Sequence, residues 1–313
     1  MPGEPGWLRP LGNTGLTVSA LALGASPLGN TTGRDGKEAA VELISRVLDS
    51  PIRVIDTANG YGDGESERRI AAAVRARGGL PADVLVATKV DPRNGDYSGE
   101  RVRESVRESK ERIGVSRLPL VYLHDPEVAD FGDLTGPGGA VETLIRLRDQ
   151  GDVGCIGLAG GPVPLMRRYL ALDVFDVLLV HNRWTLVDRS ATPILAEAWE
   201  RGVATVNAAV YGGGILAEPA RFDTYGYRPA NAAVLAAVQR LDLLCGRWGT
   251  QLRTAALQFS LRDPRFATTV VGLSRPERLE GVLADVAAEL PEAFWQEAES
   301  MLPAPEHWLE PPT

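Results

Sequence analysis

Residues 53–62 read RVIDTANGYG, and both the fold class and the candidate site can be inferred outward from this stretch. It begins as a short buried strand, because Val54 and Ile55 are apolar and β-branched. The pattern becomes polar at Asp56, and Tyr61 follows between two glycines in a tight turn. A capped turn with a packed tyrosine produces the same local pattern, so the case for a site depends on the rest of the chain.

Seven other apolar segments share this strand character, and each of the eight is followed by at least one amphipathic helical pattern. Eight strand–helix units in 313 residues predict an α/β fold of the (β/α)8 type, the TIM barrel. The strands are apolar almost throughout, which is typical of parallel strands that are buried on both faces. The other predicted strands begin at Ala20, Val84, Leu118, Val153, Phe175, Val203 and Thr268.

The main alternative is a doubly wound sheet, in which the first strand usually leads into a G-x-G-x-x-G turn. Residues 24–29 read GASPLG and do not match that motif. Residues 7–19 contain the glycine-rich turn of a short N-terminal β-hairpin. No repeat, low-complexity tract or long linker divides the chain. We therefore expect a single domain over residues 1–313, with residues 1–6 as a flexible lead-in.

The composition limits the classes of function. A net charge of −8 without basic runs argues against nucleic-acid binding, and no segment has the length and apolarity of a membrane span. The N-terminus lacks a signal-peptide pattern, and two cysteines without a paired framework fit a reducing cytoplasm. Three widely spaced histidines show no zinc pattern, so no metal is expected. We expect a cytoplasmic protein with a small-molecule substrate and leave its oligomeric state open.

Polar side chains stand at the ends of three consecutive predicted strands. Asp56 and Tyr61 follow the second strand, Lys89 ends the third and His124 ends the fourth. In a barrel of this kind the carboxyl ends of the strands meet at one mouth, where the chemistry takes place. Taken alone, Lys89 could be a solvated lysine and His124 a hydrogen-bonded core histidine. Their coincidence on neighbouring strands favours a functional site.

Such a set of groups is suited to proton transfer at a carbonyl oxygen. A free tyrosine has a pKa of about 10, and we expect the ammonium of Lys89 to lower the pKa of Tyr61. Asp56 would keep the lysine charged, and His124 would orient the substrate oxygen. None of these groups supplies two electrons, so a redox reaction would need a bound hydride carrier.

The combination of Asp56-Thr57-Ala58-x-x-Tyr61-Gly62 with Lys89 and His124 resembles the catalytic tetrad of the aldo-keto reductase superfamily. The likeness covers nearly the whole chain, since the hairpin and residues 214–216 and 271–279 also resemble segments of that family. A narrower resemblance, carried by residues 96–98, 122–126 and 271–278, is to the aldose 1-dehydrogenase group. That group includes L-fucose, D-threo-aldose and L-galactose dehydrogenases and the related pyridoxal 4-dehydrogenase.

The resemblance implies that Tyr61 is the acid for reduction or, as tyrosinate, the base for oxidation. It implies that Lys89 and Asp56 adjust the pKa of Tyr61 and that His124 orients the substrate. It implies NAD or NADP as the cofactor, with the subgroup favouring NAD, and oxidation of the C1 hydroxyl of a sugar to a lactone. Two alternatives stay open: an NADPH-dependent aldehyde or ketone reductase, and a cofactor-sensing regulatory subunit. A metal-dependent hydrolase is disfavoured, because no histidine–carboxylate set is evident at the strand ends.

Two positions depart from the family pattern. Ala159-Gly160 stand where Ser-Asn often holds the carboxamide of the nicotinamide, so His181 and Asn182 become candidates for that contact. A small residue stands where an aromatic ring commonly stacks on the nicotinamide, and Tyr211 comes shortly after it. The predicted cofactor-binding residues are Asn182, Gly212, Gly213, Gly214, Leu216, Gly272, Ser274, Arg275 and Arg278, and the predicted substrate-binding residues are Tyr97, Trp184, Tyr225 and Tyr227.

Overall fold

The structure is a computed structural model that describes residues 6–311, so residues 1–5 of the predicted lead-in lie outside the described part. Eight parallel strands close into a barrel, with helices in the connections between them. The strands are, in chain order, β1 (Leu8–Pro10), β2 (Thr17–Ser19), β3 (Leu21–Gly24), β4 (Val54–Asp56), β5 (Leu85–Val90), β6 (Leu118–His124), β7 (Val153–Gly160), β8 (Val177–His181), β9 (Ala204–Ala208), β10 (Thr224–Tyr225), β11 (Arg228–Pro229) and β12 (Phe266–Gly272).

The barrel strands follow the order β12-β3-β4-β5-β6-β7-β8-β9. All eight lie where the sequence predicts strands, and the predicted (β/α)8 barrel with an N-terminal hairpin is confirmed. The helices are α1 (Ser26–Gly29), α2 (Gly33–Asp49), α3 (Glu65–Arg77), α4 (Gly99–Ile113), α5 (Phe131–Thr135), α6 (Ala140–Asp149), α7 (Val163–Leu170), α8 (Thr192–Glu200), α9 (Ala232–Arg247), α10 (Leu252–Leu261), α11 (Arg278–Ala287) and α12 (Glu292–Glu299).

Helix α4 shows how local sequence sets the bounds of an element. The side chain of Ser98 caps its start by accepting a hydrogen bond from the backbone of Arg101. Gly114 ends it in the left-handed conformation, with a φ of 82° that costs glycine little. Val102 and Val106 face the core from one side of the helix, and charged side chains cover the opposite side.

The hairpin of β1 and β2 closes the amino-terminal end of the barrel. Leu11 and Val18 are each 1% exposed and pack into the same apolar cluster as the inward side chains of the barrel strands. The guanidinium of Arg9 adds a hydrogen bond of 2.8 Å to the carbonyl of Phe266. With this end sealed, the carboxyl ends of the strands are the face that is left open for a ligand.

Short α5 and the small hairpin of β10 and β11 were not predicted, because segments of two to five residues carry no measurable periodicity. Within residues 6–311, no helix combines the length and the apolar composition that crossing a bilayer requires.

Gly62 offers a test of how tightly the loop after β4 is packed. Its φ is +61°, and a methyl group there would overlap the backbone of Gly29. We expect Gly62→Ala to lower the free energy of unfolding by more than the roughly 1–2 kcal/mol that a left-handed alanine costs. Gly78→Ala is the matched control, because Gly78 has a φ of +86° and no atom within 4 Å of the added carbon. Equal losses for the two variants in urea titrations would contradict the packing argument.

Candidate active site

The carboxyl ends of the barrel strands surround a cavity of about 340 Å3. Its volume lies in the range of small-molecule sites. All four side chains of the predicted tetrad line it, and every barrel strand or the loop after it contributes to its wall. A larger surface groove, of about 600 Å3, lies against α4 and α6 but is lined mainly by charged helix side chains far from the strand ends. The residues with polar side chains that line the cavity are Ser26, Asp56, Tyr61, Lys89, His124, Asp125, His181 and Tyr227.

Lys89 and Asp56 form a buried ion pair on neighbouring strands. The Nζ atom of Lys89 donates to Asp56 Oδ1 at 2.6 Å and to the carbonyl of Thr57 at 2.7 Å. The two side chains are only 2% and 8% exposed. Burial by itself would lower the pKa of Lys89, but the carboxylate of Asp56 outweighs it and the net pKa is raised. The lysine is therefore a permanent cation at the bottom of the cavity.

Tyr61 lies over this cation. The Nζ atom of Lys89 is 4.8 Å from the centroid of the tyrosine ring. Burial raises the pKa of Tyr61 to about 12, although the ammonium of Lys89 acts to lower it. The expectation that Lys89 lowers the pKa of Tyr61 below its ordinary value is thus wrong for the protein without a bound ligand. The cost of burying the tyrosinate is larger than the stabilisation that the charge of Lys89 gives it. At neutral pH Tyr61 is a neutral phenol and a proton donor.

His124 is held by a carboxylate that the sequence analysis missed. Its Nδ1 atom lies 2.6 Å from Asp91 Oδ1, and its ring meets the ring of Tyr61 edge-on at a centroid distance of 5.7 Å. The second oxygen of Asp91 accepts a hydrogen bond of 2.7 Å from the backbone of Gly60. Burial would raise the pKa of Asp91, but the hydrogen bond with His124 and the neighbouring charges leave it lowered. Asp91 directly follows β5, and its place at a strand end was the available signal.

A second buried network of hydrogen bonds and ion pairs holds the loop that carries Tyr61 against α3 and α4. Arg112 donates to the carbonyl of Asn59 at 3.1 Å and to the fully buried Glu67 at 3.0 Å. Glu108 accepts from the side chain of Asn59 at 3.0 Å and also pairs with Arg112. Thr88, which precedes Lys89 in β5, donates to Glu67 at 2.7 Å. The loop and β5 are thus tied to the same set of charges.

Three of the four predicted substrate-binding aromatics do not line the cavity. Tyr97 is 5% exposed, and its hydroxyl bonds with the backbone of Val90 and His124 at 2.7–2.9 Å, so it joins the ends of β5 and β6. Tyr225 is buried and bonds with Thr185. Trp184 stacks on Phe259 at 5.7 Å.

Tyr227 is the aromatic that reaches the cavity. It is 76% exposed, adopts a φ of +65° and lies 5.6 Å from the ring of His181. Because it stands at the open rim on the tip of the β10–β11 hairpin, it can contact a ligand without closing the cavity.

The predicted cofactor segments flank the cavity on the side of β9 and β12. Gly272 lines the cavity itself, and Gly213 and Gly214 adopt left-handed backbone in the turn that follows Tyr211. Leu216 is fully buried and its N–H donates to the carbonyl of Tyr211, so it supports the turn and does not line the cavity. The other predicted cofactor residues in these two segments are Gly212, which is buried, Ser274, which is half-buried, and Arg275 and Arg278, which are exposed.

The end of β8 supplies a buried amide whose oxygen has no partner among the described residues. Asn182 is fully buried with a φ of +60°, and its Oδ1 atom has no hydrogen-bond partner within residues 6–311. Its Nδ2 atom lies 3.1 Å from His181 Nδ1. Ala208 and Ala209 line the cavity at the expected stacking position, whereas Tyr211 does not line it and packs against buried apolar side chains. The small residues leave room for a ring there.

Asp125, Glu127 and His181 form a cluster at the rim, with one donor atom of each within 4.8 Å of the others. The expectation that no histidine–carboxylate set stands at the strand ends is therefore wrong. Burial lowers the pKa of His181 to about 4, and Arg183 acts in the same direction. The guanidinium of Arg183 donates to the carbonyl of His181 at 3.2 Å, and its charge opposes the binding of a cation. The cluster is better described as a set of polar groups at the rim, of which Asp125 and His181 line the cavity.

Comparisons with known proteins agree with this geometry. The sequence profile of the Aldo/keto reductase family matches residues 20–303. The chain is 30% identical to a pyridoxal 4-dehydrogenase of Microbacterium luteolum, over 92% of this chain and 95% of that protein. It is 31% identical to a D-threo-aldose 1-dehydrogenase of a Pseudomonas species, over 93% and 97%. An L-galactose dehydrogenase of Arabidopsis thaliana is 29% identical, over 89% and 88%.

Solved structures show the same fold. An aldo-keto reductase of Bacillus halodurans in its holo form superposes with a TM-score of 0.77 at 22% identity, covering 94% of this chain and 96% of that one. The glycerol dehydrogenase of Gluconobacter oxydans gives a TM-score of 0.76 at 19% identity, covering 99% and 98%. At these identities the likeness establishes the barrel and no finer property.

The buried ion pair can be tested by stability alone. Asp56→Asn leaves the ammonium of Lys89 buried without its counter-ion, so we expect a loss of about 3–5 kcal/mol in the free energy of unfolding. The double variant Asp56→Asn with Lys89→Met removes both charges and should recover most of that loss. Asp83→Asn is the control, since the Asp83 carboxylate is 65% exposed in its pair with Arg53 and should matter little. If Asp56→Asn lost no more stability than this control, Asp56 would not be the counter-ion that compensates the burial of Lys89.

Proposed function

The chain belongs to the aldo/keto reductase family, and from this premise we propose that it is an NAD(P)-dependent oxidoreductase that oxidises the C1 hydroxyl of an aldose, or of a similar cyclic hemiacetal, to a lactone. The observation that carries the proposal is the meeting of Tyr61, Lys89, Asp56 and His124 in one cavity at the barrel mouth. The relatives named for pyridoxal, D-threo-aldose and L-galactose support a substrate whose aldehyde closes with one of its own hydroxyl groups to a cyclic hemiacetal.

Each member of the tetrad has a role that follows from its contacts. Lys89, fixed by Asp56, places a positive charge under the phenol of Tyr61 and favours developing negative charge on its oxygen. Tyr61 donates its proton to a carbonyl oxygen in reduction, and in oxidation its tyrosinate form, favoured by Lys89, takes the proton of the hydroxyl group. His124, whose ring stands edge-on to that of Tyr61, contacts the same substrate oxygen from a second side. Together they position the oxygen and move its proton.

The residues present fit a nicotinamide cofactor. The unpartnered Oδ1 of Asn182 can accept a hydrogen bond from a carboxamide, and Ala208 and Ala209 leave space for a flat ring. Gly272 brings the backbone to the cavity wall without a side chain. A bound nicotinamide supplies the hydride carrier that the tetrad lacks. In the glycine turn at residues 212–214 the N–H groups of Gly212 and Gly214 already donate to the carbonyls of Ala209 and Tyr211, which leaves the N–H of Gly213 as the candidate contact for a pyrophosphate.

We expect Tyr61→Phe to lower kcat by about 10²- to 10⁴-fold, because it removes the proton donor and leaves the cavity shape intact. Turnover is measured by absorbance of the reduced nicotinamide in both directions, with aldoses, pyridoxal and simple aldehydes. Cofactor binding, measured by quenching of tryptophan fluorescence, should be retained. Tyr169→Phe is the matched control, since the buried hydroxyl of Tyr169 has no partner among the described residues. Undiminished turnover in Tyr61→Phe would sink the assignment.

The same assay separates the alternatives. Oxidation of NADPH by simple aldehydes or ketones without oxidation of any sugar would place the protein with the biosynthetic or detoxifying reductases. Tight cofactor binding without turnover on any of these substrates would favour a cofactor-sensing subunit. The complete tetrad argues against that second alternative, since a sensor has no need of a buried lysine beneath the phenol.

We propose NAD as the preferred cofactor. Arg278 is one of two candidates to hold a 2′-phosphate, but its Nη2 atom pairs with Glu218 Oε1 at 3.2 Å. A carboxylate beside the arginine repels a phosphate and suits the 2′-hydroxyl of NAD. Arg275, the second candidate, is exposed at the start of the same segment.

Glu218→Gln tests this preference. Removing the carboxylate frees Arg278, so we expect the ratio of kcat/KM for NADP to kcat/KM for NAD to rise by about tenfold. Glu292→Gln is the control. Glu292 forms a similar exposed pair with Arg262, with 2.7 Å between Oε2 and Nη2, and neither residue lines the cavity. An unchanged ratio in Glu218→Gln would contradict the role given to Glu218.

A further inference from the structure

Asp125 presents a carboxylate to the cavity that no other side chain of the described chain uses. The side chain is 46% exposed and lines the wall next to His124. Its Oδ2 atom is 3.7 Å from His124 Nε2 and its Oδ1 atom is 3.9 Å from His181 Nε2, both beyond hydrogen-bonding distance. Among residues 6–311 the carboxylate accepts no hydrogen bond and pairs with no lysine or arginine.

The backbone of Asp125 is fixed in an uncommon conformation. Its φ of +42° and ψ of +56° lie in the left-handed region, which residues with a side chain seldom adopt. The N–H group of Asp125 donates to the carbonyl of Ala159 at 2.8 Å, so the conformation is tied to the end of β7. Uncommon backbone of this kind clusters at ligand sites, where it directs a side chain that the regular strand would not.

The charges near Asp125 leave this part of the wall negative. Lys89 is the cation that lines the cavity within the described chain, and Asp56 neutralises it at 2.6 Å. Arg183 stands behind the rim and pairs with Glu310 at 2.8 Å. A negative group on a ligand therefore finds no compensating charge beside Asp125. A hydroxyl or ammonium group can donate to it, and hydrogen bonds to a charged acceptor are the stronger ones.

The tetrad determines which part of the substrate meets Asp125. In the proposed function His124 contacts the oxygen on the reactive carbon, and Asp125 Oδ2 lies beside that imidazole. The oxygens on neighbouring carbons of a sugar are close in space, so the oxygen on the next carbon is placed at Asp125. Ala159 and Gly160, at the end of β7, line the same part of the cavity without polar side chains.

We propose that Asp125 is a specificity-determining residue that accepts a hydrogen bond from the hydroxyl group on the carbon next to the reactive one. This inference rests on the proposed function and narrows its substrates to aldoses that carry a 2-hydroxyl group. An ammonium group at that carbon binds in the same place, since it donates and adds an opposite charge. A 2-deoxy substrate leaves the carboxylate without a partner, and a phosphate or carboxylate there is repelled.

The first experiment compares two achiral aldehydes that differ by this hydroxyl group. Glycolaldehyde is acetaldehyde with a hydroxyl on the adjacent carbon, and both are assayed by oxidation of NADH and NADPH. We expect Asp125→Gly to lower the ratio of kcat/KM for glycolaldehyde to kcat/KM for acetaldehyde by about 10- to 100-fold, the range for a hydrogen bond to a charged group. Comparing ratios between variants cancels the intrinsic reactivity of each aldehyde. Glycine suits the left-handed backbone, so the variant keeps the fold.

The second experiment follows oxidation of galactose, 2-deoxygalactose and galactosamine in both enantiomeric series. In the wild type the loss of the 2-hydroxyl should lower kcat/KM by about 10- to 100-fold, and in Asp125→Gly this loss should largely disappear. Asp125→Asn keeps an accepting oxygen but removes the charge. We therefore expect it to lower kcat/KM for galactosamine by a larger factor than for galactose.

Asp173 provides the matched control. It also adopts left-handed backbone, with a φ of +55°, and its carboxylate is 70% exposed and does not line the cavity. Asp173→Gly and Asp173→Asn should leave all of these ratios unchanged. The Kd of NADH is measured for every variant by quenching of tryptophan fluorescence. A weaker Kd in Asp125→Gly with unchanged ratios would assign the carboxylate to the amide of the nicotinamide and overturn the proposal.

The outcomes separate this inference from the proposed function. A lower glycolaldehyde ratio in Asp125→Gly, without oxidation of any sugar, would support the contact by Asp125 and reject the aldose dehydrogenase. Oxidation of galactose with the same 2-deoxy loss in the wild type and Asp125→Gly would support the proposed function and overturn the role of Asp125. Turnover of neither galactose nor glycolaldehyde would reject both.

Discussion

The buried pair of Lys89 and Asp56 is the constraint on which the rest of the site depends. An ammonium that is 2% exposed is costly to bury, and such a pair is rarely the most stable solution for a protein interior. The fold supplies three compensations: the carboxylate of Asp56, the carbonyl of Thr57 and the faces of two tyrosine rings, Tyr61 and Tyr122. In the function that we propose, the charge serves to favour negative charge on the oxygen of Tyr61.

The parallel register of the barrel makes this pair possible. Asp56 is the last residue of β4 and lies beside Ala87 of β5, so Lys89 emerges from the sheet just above the carboxylate. Lys89 itself lies beside Tyr122 of β6, whose ring covers the ammonium from below. The ends of three adjacent strands therefore share one polar centre. Closure of the barrel then encloses it with the five remaining strands.

Two sets of charged side chains around the tetrad hold its members in place. Asp91 connects His124 to the loop of Tyr61, and the network of Glu67, Glu108 and Arg112 anchors the same loop to α3 and α4. These contacts keep the phenol and the imidazole at a fixed separation above the lysine. Fixed donors and acceptors need little reorganisation during reaction, which is the main source of electrostatic catalysis in enzymes.

The sequence by itself determined the barrel and the four residues at its mouth. Strand and helix periodicity are local properties, and the ends of successive parallel strands must meet, so Asp56, Tyr61, Lys89 and His124 could be brought together without coordinates. Tertiary structure alone decided the pKa of Tyr61, the hydroxyl partners of Tyr97 and the convergence of Asp125 with His181. It also assigned Asp91 to His124. These depend on burial and on distances between atoms far apart in the chain, and periodicity carries no information about either.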